Sequence, residues 1–397
     1  MRHSAGPAEW AQLMASYAPD YLIGDVTWLK SALPDPAEWR IEPFDQGWVA
    51  IRREMGAPIQ GEARILLSTS GTTGTSKFVR LPQSAVTANA LQISEVLGVD
   101  PTSVAAGHLP LHYSYGLSVL TSHLVAGASV ALLEDTLTSP SFWRILAAAE
   151  ATHFPGVPFH YAVLARGLER FAPASVKTLT QAGGALDLKF QQIMHDQAVR
   201  RDAGFYVMYG QTEAAPRITT LSSDDFPAKI GSVGKALSGG VLTVLGAMGA
   251  PVEAGVEGDI VYEGPNVMHG YAECRADLDR SDELQGRLAT GDRGYLDAEG
   301  FLYLTGRAKR FAKVFGLRIS LDEVEKRLGF ACAVVDRGEK IFVVHLREED
   351  GAMIKQVVKD VSLEYRLPAS TFVLVPVEQI PRKGSGKVDY GAVKGLV

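Results

Sequence analysis

Cysteine is nearly absent from this chain: Cys274 and Cys332 are the 2 copies among 397 residues, and no C-x-x-C pair occurs. A disulfide framework or a thiolate zinc site is therefore disfavoured, and a reducing cytoplasm fits. Long apolar runs are also missing. The longest apolar stretch, LSVLTSHLVAGASVALL over 117–133, is broken by Ser, Thr, His and Gly. It reads as a buried helix running into a strand, so no membrane span is expected. The opening MRHSAGPAEWAQLMASYAPDYL lacks the unbroken apolar centre of a signal peptide. Nor do basic residues prevail. Lys and Arg number 39 against 45 Asp and Glu, and the net charge of −6 gives no overall attraction to nucleic acid or anionic membranes.

What the chain does have is length and a regular alternation. A chain of 397 residues exceeds what one hydrophobic core usually serves, so two domains are expected. Residues 1–60 carry Trp10, Trp28, Trp39 and Trp48 and should form helices and a short strand packed on the larger body. From residue 64 strands and helices alternate. RILLST (64–69), ASVALLE (128–134), SVKTLTQAGG and GFYVMYG read as strands, with THFPGVP extended. SAVTANALQISEVLG (84–98, capped by Ser84), a segment from about 116, SFWRILAAAEA (141–151), FHYAVLARGLER and DLKFQQIMHDQAV read as helices. This pattern predicts an α/β fold with a mostly parallel sheet covered by helices. After about 229, GGVLTVLG, EGDIVYEG and GFLYLTG predict a small β-subdomain with glycine turns. Beyond the basic RAKRFAKVFGLRI, a helix at ISLDEVEKRLG, strands at ACAVVDR and KIFVVHLR, a helix at IKQVVKDVSLEY and a strand at TFVLVP make a small α+β unit. The boundary falls at Arg307–Lys309, dividing 1–308 from 309–397.

The most informative stretch is LSTSGTTGTSKFVR, residues 67–80. Hydroxyls surround Gly71 and Gly74, and Lys77 closes the run. Such a loop can turn backbone N–H groups and hydroxyls toward one anion, and the lysine adds a fixed positive charge. The spacing is not that of a P-loop, because Ser76 stands five residues after Gly71 where a glycine is required. Taken alone, such a stretch is more often a flexible linker. Four more motifs follow in order: YGQTE at 209–213, TGDRGYLDAEGFLYLTGR at 290–307, KVFGLRISLDEVE at 313–325 and PRKGSGK at 381–387.

Together the five resemble the adenylate-forming (AMP-binding) superfamily of acyl- and aryl-CoA synthetases, stand-alone adenylation domains and luciferases. The resemblance runs from about residue 65 to the C-terminus. It implies a large N-terminal domain, shortened here ahead of the first loop, and a small mobile C-terminal lid. It also implies a reaction. A carboxylate and ATP, with Mg²⁺, give acyl-AMP and pyrophosphate; a thiol of CoA or of a carrier protein's phosphopantetheine then takes the acyl group.

By the same resemblance Thr69, Ser70, Gly71, Thr72, Thr73, Gly74 and Lys77 hold the β- and γ-phosphates, although Ser76 and Phe78 replace the usual Pro and Gly beside the lysine. Gly183, Gly184 and Ala185 line the adenine face, and Tyr209 stacks on it, in a motif completed by Gly210 and Gln211. Thr212 reaches the α-phosphate and Glu213 binds Mg²⁺, where an isolated glutamate would read as a solvated carboxylate. Asp292 takes both ribose hydroxyls, as one acceptor-only group can, with Arg307 beside it; a surface ion pair, worth little energetically, is the weaker alternative. Lys387, selected over Lys383 by the family register, bridges the carboxylate and the α-phosphate. Lys309 falls at the hinge, and Lys313, Gly316 and Arg318 lie in the loop that serves thioester formation.

In HYSYG (112–116), His112, Tyr113 and Tyr115 stand where relatives shape the acyl pocket, though a core histidine reads nearly as well. No Asp occurs between 109 and 118 to bind an α-ammonium, which disfavours an amino acid substrate. Arg217 could meet a second carboxylate or polar group of the substrate, but a structural arginine is the plainer reading. The expected function is an acid–thiol ligase for an acyl or aryl acid. A stand-alone enzyme loading an amino or hydroxy acid onto an acyl or peptidyl carrier protein, luciferase-like oxygenation and a non-catalytic AMP-binding homologue are the competing readings.

Overall fold

The computed structural model describes residues 7–33, 35–45, 47–68, 77–307, 311–314, 317–348, 350–365, 367–382 and 388–397. Its first unit is a helix, Pro7–Tyr17, beside a three-stranded antiparallel sheet in which Gly47–Arg52 lies between Tyr21–Gly24 and Trp39–Phe44. Leu22, Leu29, Trp39 and Ala50 are buried there, with Trp10, Trp28 and Trp48 packed at the margin. The expected short strand is thus one of three. Pro43 is tolerated in the Trp39–Phe44 strand because that strand lies at the edge of the sheet.

The centre of the molecule is a seven-stranded sheet. Ser129–Leu132, Val104–Gly107, His153–Gly156, Thr178–Gln181 and Gly204–Gly210 run parallel; Arg217–Leu221 and Lys235–Ala236 add antiparallel at one side. Successive side chains of a strand face opposite ways, and the burial follows that rule. Phe154, Leu179, Phe205 and Val207 enter one core with Phe142, Leu146, Tyr161, Leu164 and Met194 from the helices Pro140–Ala148, Pro158–Leu164 and Leu188–Arg200. Met208 packs instead with Tyr115 and Val119 of the helix Ser114–Val125. Helices therefore cover both faces, as the βα alternation predicts.

Two local expectations are corrected. The helix Gln83–Leu97 starts one residue before Ser84; Pro82 is its N-cap and makes no side-chain cap bond. FHYAVLARGLER is two helices, Pro158–Leu164 and Leu168–Phe171, because Gly167 between them takes a φ of +149° that no helix contains.

Two smaller sheets flank the centre. Ala63–Ser68 and Phe78–Pro82 pair antiparallel, which sets Ser68 opposite Phe78, and Tyr271–Ala272 pairs with the second of them. Arg80, 1% exposed, ties this sheet to the carbonyls of His269 and Arg280 and to the Glu283 carboxylate at 3.0 Å. A four-stranded antiparallel sheet of Val241–Leu245, Gly258–Glu263, Arg287–Leu296 and Leu302–Arg307 forms the expected β-subdomain.

The C-terminal residues form the hairpin Phe311–Val314/Leu317–Ser320, the helix Leu321–Leu328 and a sheet of Cys332–Arg337, Lys340–Leu346 and Phe372–Val377. Helix Gly351–Glu364 completes this α+β arrangement, and Ala312, Val324, Val334, Val343, Ile354 and Phe372 share its core. No helix among the described residues is long and apolar enough to cross a membrane.

Candidate nucleotide and acyl site

Three parallel strands of the central sheet deliver their carboxyl ends to one place. Val104–Gly107 leads to Ser114, Thr178–Gln181 to Gly184, and Gly204–Gly210 to Thr212. In open α/β sheets the crevice beyond the strand ends is where ligands bind. The contacts found there join motifs that lie far apart in the chain. Ser114 Oγ lies 3.1 Å from Thr212 Oγ1, which links HYSYG to YGQTE. The Gln181 amide donates to the Gly184 carbonyl at 2.8 Å and fixes the QAGG turn.

Gly183 has φ +83°, and a Cβ there would fall 2.2 Å from Tyr113 Oη, so the turn and the tyrosine fit only with glycine. Gly210 is equally constrained, since a Cβ would lie 1.8 Å from the Pro216 carbonyl oxygen. Gly184 and Ala185 are exposed at the rim, and Gln211 is half-buried.

Glu213 sits on a short 3₁₀ turn, Thr212–Ala214, and its Oε1 accepts the Tyr271 hydroxyl at 2.8 Å. Lys77 Nζ lies 3.8 Å from the centre of the same ring, a cation–π contact. The tyrosine thus holds the last residue of the hydroxyl-rich loop and the glutamate of YGQTE on one side chain. Burial, with the Glu213 carboxylate second, pushes the Tyr271 phenol far above its usual range, so it stays a donor. On the opposite flank Tyr209 donates to Asp292 Oδ2 at 2.6 Å, and Asp292 is 5% exposed. Asp292 pairs in register with Arg307 across the β-subdomain sheet.

Arg217 is 3% exposed, with its guanidinium carbon 3.9 Å from the centre of the Tyr115 ring. Tyr115 itself is buried and donates to the Thr180 carbonyl at 2.7 Å. His112, by contrast, is exposed. Thr69, Ser70, Gly71, Thr72, Thr73, Gly74, Lys309, Gly316 and Lys387 lie outside the described residues. Lys313 and Arg318 are register partners across the C-terminal hairpin.

The AMP-binding enzyme family matches residues 27–272. This chain belongs to that family. It is 31% identical over 340 residues to the sulfoacetate–CoA ligase of Cupriavidus necator, covering 82% of this chain and 65% of the relative. The chain therefore spans just under two thirds of that relative's length. The o-succinylbenzoate coenzyme A synthetase of Bacillus subtilis, solved with ATP and magnesium ion, superposes with a TM-score of 0.69 at 26% identity over 87% of this chain and 73% of that one. An ATP-bound RpMatB-BxBclM chimera covers 100% of this chain and 82% of its own at a TM-score of 0.78 and 22% identity, which shows that the fold extends through the C-terminal part.

The family membership makes ATP and Mg²⁺ the groups to fit. Among the described residues no three carboxylate, His or Cys side chains cluster to hold an ion. Mg²⁺ suits such a site, because it is commonly bound by one or two carboxylates together with substrate phosphates and water. Glu213 fits the carboxylate, and Tyr271 fixes the orientation of its other oxygen. Bound Mg²⁺ would neutralise phosphate charge there. Tyr271, Ser114 and Gln181 were missed by sequence reasoning. Tyr271 reaches Glu213 only through the pairing of Tyr271–Ala272 with Phe78–Val79, which no local pattern announces.

Proposed function

We propose that this chain is an AMP-forming acid–CoA ligase, and that its site residues take the roles that their placement allows. The supporting observation is the Lys77–Tyr271–Glu213 cluster, which sets a cation and a candidate metal carboxylate on one side chain beside the Thr212–Ser114 pair. A carboxylate oxygen of the acid attacks the α-phosphorus of ATP, the bond to the β-phosphate oxygen breaks, and pyrophosphate leaves. Charge grows on the phosphates in that step, so fixed donors and cations stabilise it. Lys77 would face the leaving pyrophosphate and Thr212 the α-phosphate, and Glu213 would hold Mg²⁺, which would supply charge neutralisation when bound. Asp292 accepts the ribose hydroxyls once they displace the Tyr209 hydroxyl. In the second step the sulfur of CoA attacks the acyl carbon, its proton leaves to solvent, and AMP departs with the electron pair of the broken C–O bond.

The acyl end of the site lies by Tyr113, Tyr115 and Arg217. Residues 309–397 act as a lid that presents Lys387 for adenylation and the Lys313–Arg318 hairpin for thioester formation, with Lys309 as hinge. Pyrophosphate release from ATP and Mg²⁺ across a panel of carboxylic acids, followed by addition of CoA or of a phosphopantetheinylated carrier protein, tests the proposal. Acid-dependent pyrophosphate release and CoA-dependent release of AMP support it. Release of AMP only with the carrier protein would move the acceptor from CoA to that protein, and no acid-dependent release would end the reading.

A further inference from the structure

The turn that carries Glu213 lies in a constrained stretch of backbone. Residues 211–216 join the strand Gly204–Gly210 to Arg217–Leu221, and the 3₁₀ turn Thr212–Ala214 among them ends at Ala215, whose φ is +56°. A residue with a side chain persists in that left-handed region only where its surroundings over-determine it. The sheet does not supply this on its outer side. Lys235–Ala236 pairs with Thr220 and Thr219 but not with Arg217. The buried main chain of Ala214 and Arg217 must therefore find other partners.

Two fully buried asparagines provide them. Asn89, on the helix Gln83–Leu97, accepts the Arg217 N–H at 3.0 Å and donates to the Arg217 carbonyl at 2.9 Å, as a neighbouring strand would. Asn266 reaches further. Its Nδ2 donates to the Ala214 carbonyl at 2.6 Å and to the Arg217 carbonyl at 2.9 Å, and its Oδ1 accepts the Tyr262 hydroxyl at 2.7 Å. Both amide hydrogens are thus used, and the two carbonyls, which only accept, fix which way the amide faces. Gly264 makes room for the arrangement. A Cβ there would fall 2.4 Å from the Tyr262 hydroxyl and 2.9 Å from Asn266 Oδ1.

Asn266 also begins a strap along the turn. Two residues on, the Met268 N–H donates to the Glu213 carbonyl at 2.9 Å, and Tyr271 then reaches the Glu213 carboxylate at 2.8 Å. Arg80 ties the strap to the adjoining strand: its carbonyl accepts the His269 N–H and its N–H donates to the Gly270 carbonyl. One short segment, 266–271, therefore holds the carbonyls of residues 213 and 214 together with the carboxylate between them.

We propose that Asn266 is a positioning residue for Glu213: it sets the Thr212–Ala214 turn through the Ala214 carbonyl, so that the strap holds the Glu213 carboxylate in place for Mg²⁺. The inference rests on the adenylation reading above, in which Glu213 is the metal carboxylate. The test is titration calorimetry of the full chain with ATP, once with Mg²⁺ and once with a chelator. No acid is present, so the readout is binding alone. The wild type should bind ATP at least about ten-fold more tightly with Mg²⁺, the scale of one contact to a charged group. Asn266→Ala should bring that ratio near one while affinity for ATP without Mg²⁺ holds. Asn89→Ala frees Arg217 but not Ala214, so it should lower the melting temperature comparably and keep the ratio. Tyr262→Phe preserves the ring and releases the amide, and should lose part of the ratio; it replaces Asn266→Ala should that variant not fold.

A wild-type ratio in Asn266→Ala, or in Tyr262→Phe where it stands in, overturns the proposal and leaves adenylation intact. Equal loss in Asn89→Ala overturns it as well, because the effect then follows stability and not the turn. A wild type that binds ATP no better with Mg²⁺ removes Glu213 as a metal ligand, and the proposal falls with that reading.

Discussion

At the scale of single residues, the Glu213–Tyr271 hydrogen bond is the contact with the sharpest consequence. Glu213 Oε1 takes the Tyr271 hydroxyl at 2.8 Å, and the ring beneath that hydroxyl carries Lys77 at 3.8 Å. Removing the hydroxyl keeps the ring and the cation–π contact but releases the carboxylate. A hydrogen bond to a charged group contributes about 1.5–3 kcal/mol. Tyr271→Phe should therefore raise the Mg-ATP concentration needed for half-maximal pyrophosphate release by ten-fold or more, with a smaller fall in kcat; Glu213→Gln should lower kcat itself. Equal kinetics for Tyr271→Phe and the wild type, measured by Mg-ATP titration, would remove Tyr271 from the site. The contrast also shows what the sequence could reveal. Glu213, Asp292 and Lys77 were legible because each stands inside a string whose spacing has chemical meaning. Tyr271 has no such string; Ser114 and Gln181 stand inside HYSYG and QAGG but were given no role there, and only strand pairing and a turn bring the three to their partners.

At the scale of elements, the alternating strands and helices of 64–210 were legible because period-two and period-3.6 burial are written in the residue order. Cap positions and edge strands were less so. Ser84 looked like a cap, yet the chain turns into the helix one residue earlier, after Pro82. One short strand was expected before residue 60 where three form, and the Trp39–Phe44 strand admits Pro43 because its outer edge needs no partner. The QAGG turn is the element where sequence and geometry meet most closely. Its Gly183 combines φ +83° with the Tyr113 hydroxyl 2.2 Å from a would-be Cβ. Gly183→Ala must strain the backbone and push Tyr113 aside; a non-glycine residue held in such a region costs about 1–3 kcal/mol. Urea unfolding should show a loss of that size, and the KM for ATP should rise. A Gly351→Ala control, at an exposed position where a Cβ would meet nothing within 4 Å, should cause no such loss and leave the KM for ATP unchanged.

At the scale of the whole molecule, its acid sensitivity is set by histidines buried on both faces of the central sheet. Burial is the first cause holding His108 down to about 3, with neighbouring His160 adding repulsion, and it holds His153 and His160 to about 4. His108 and His160 face each other and the rings of Phe142 and Phe154, while His153 faces His123 and Asp100. Above pH 6.5 these rings are neutral both folded and unfolded. As pH falls through that value the unfolded chain takes up protons that the folded chain refuses, so stability is lost progressively until the folded pKa values near 4 and 3 are passed. The melting temperature should drop between pH 6.5 and 4, each unit of depression being worth about 1.4 kcal/mol per ring. His160→Phe should flatten the profile; an unchanged slope would place the sensitivity elsewhere.

The division of labour between the N-terminal sheets and the C-terminal α+β unit is the last matter at this scale. The cores are separate: Ala312 to Phe372 form one, and the clusters around Phe154 and Tyr262 draw on residues before 304. A unit with its own core can move as a body, which is what two successive reactions at one crevice require. Its motifs were legible only through their resemblance to the family, because PRKGSGK taken alone is a basic loop. If Lys387 serves only the first reaction, the two half-reactions must separate on its removal. Lys387→Ala should lower pyrophosphate release by at least about 100-fold, as expected when a charge-assisted contact made in the transition state is lost. Conversion of a supplied acyl-AMP and CoA to thioester should fall by no more than a few-fold in the same variant. Substitution of Lys313 or Arg318 on the hairpin should do the reverse. Loss of both half-reactions to the same extent in Lys387→Ala would mean that one fixed arrangement carries both steps, and that the C-terminal unit does not alternate.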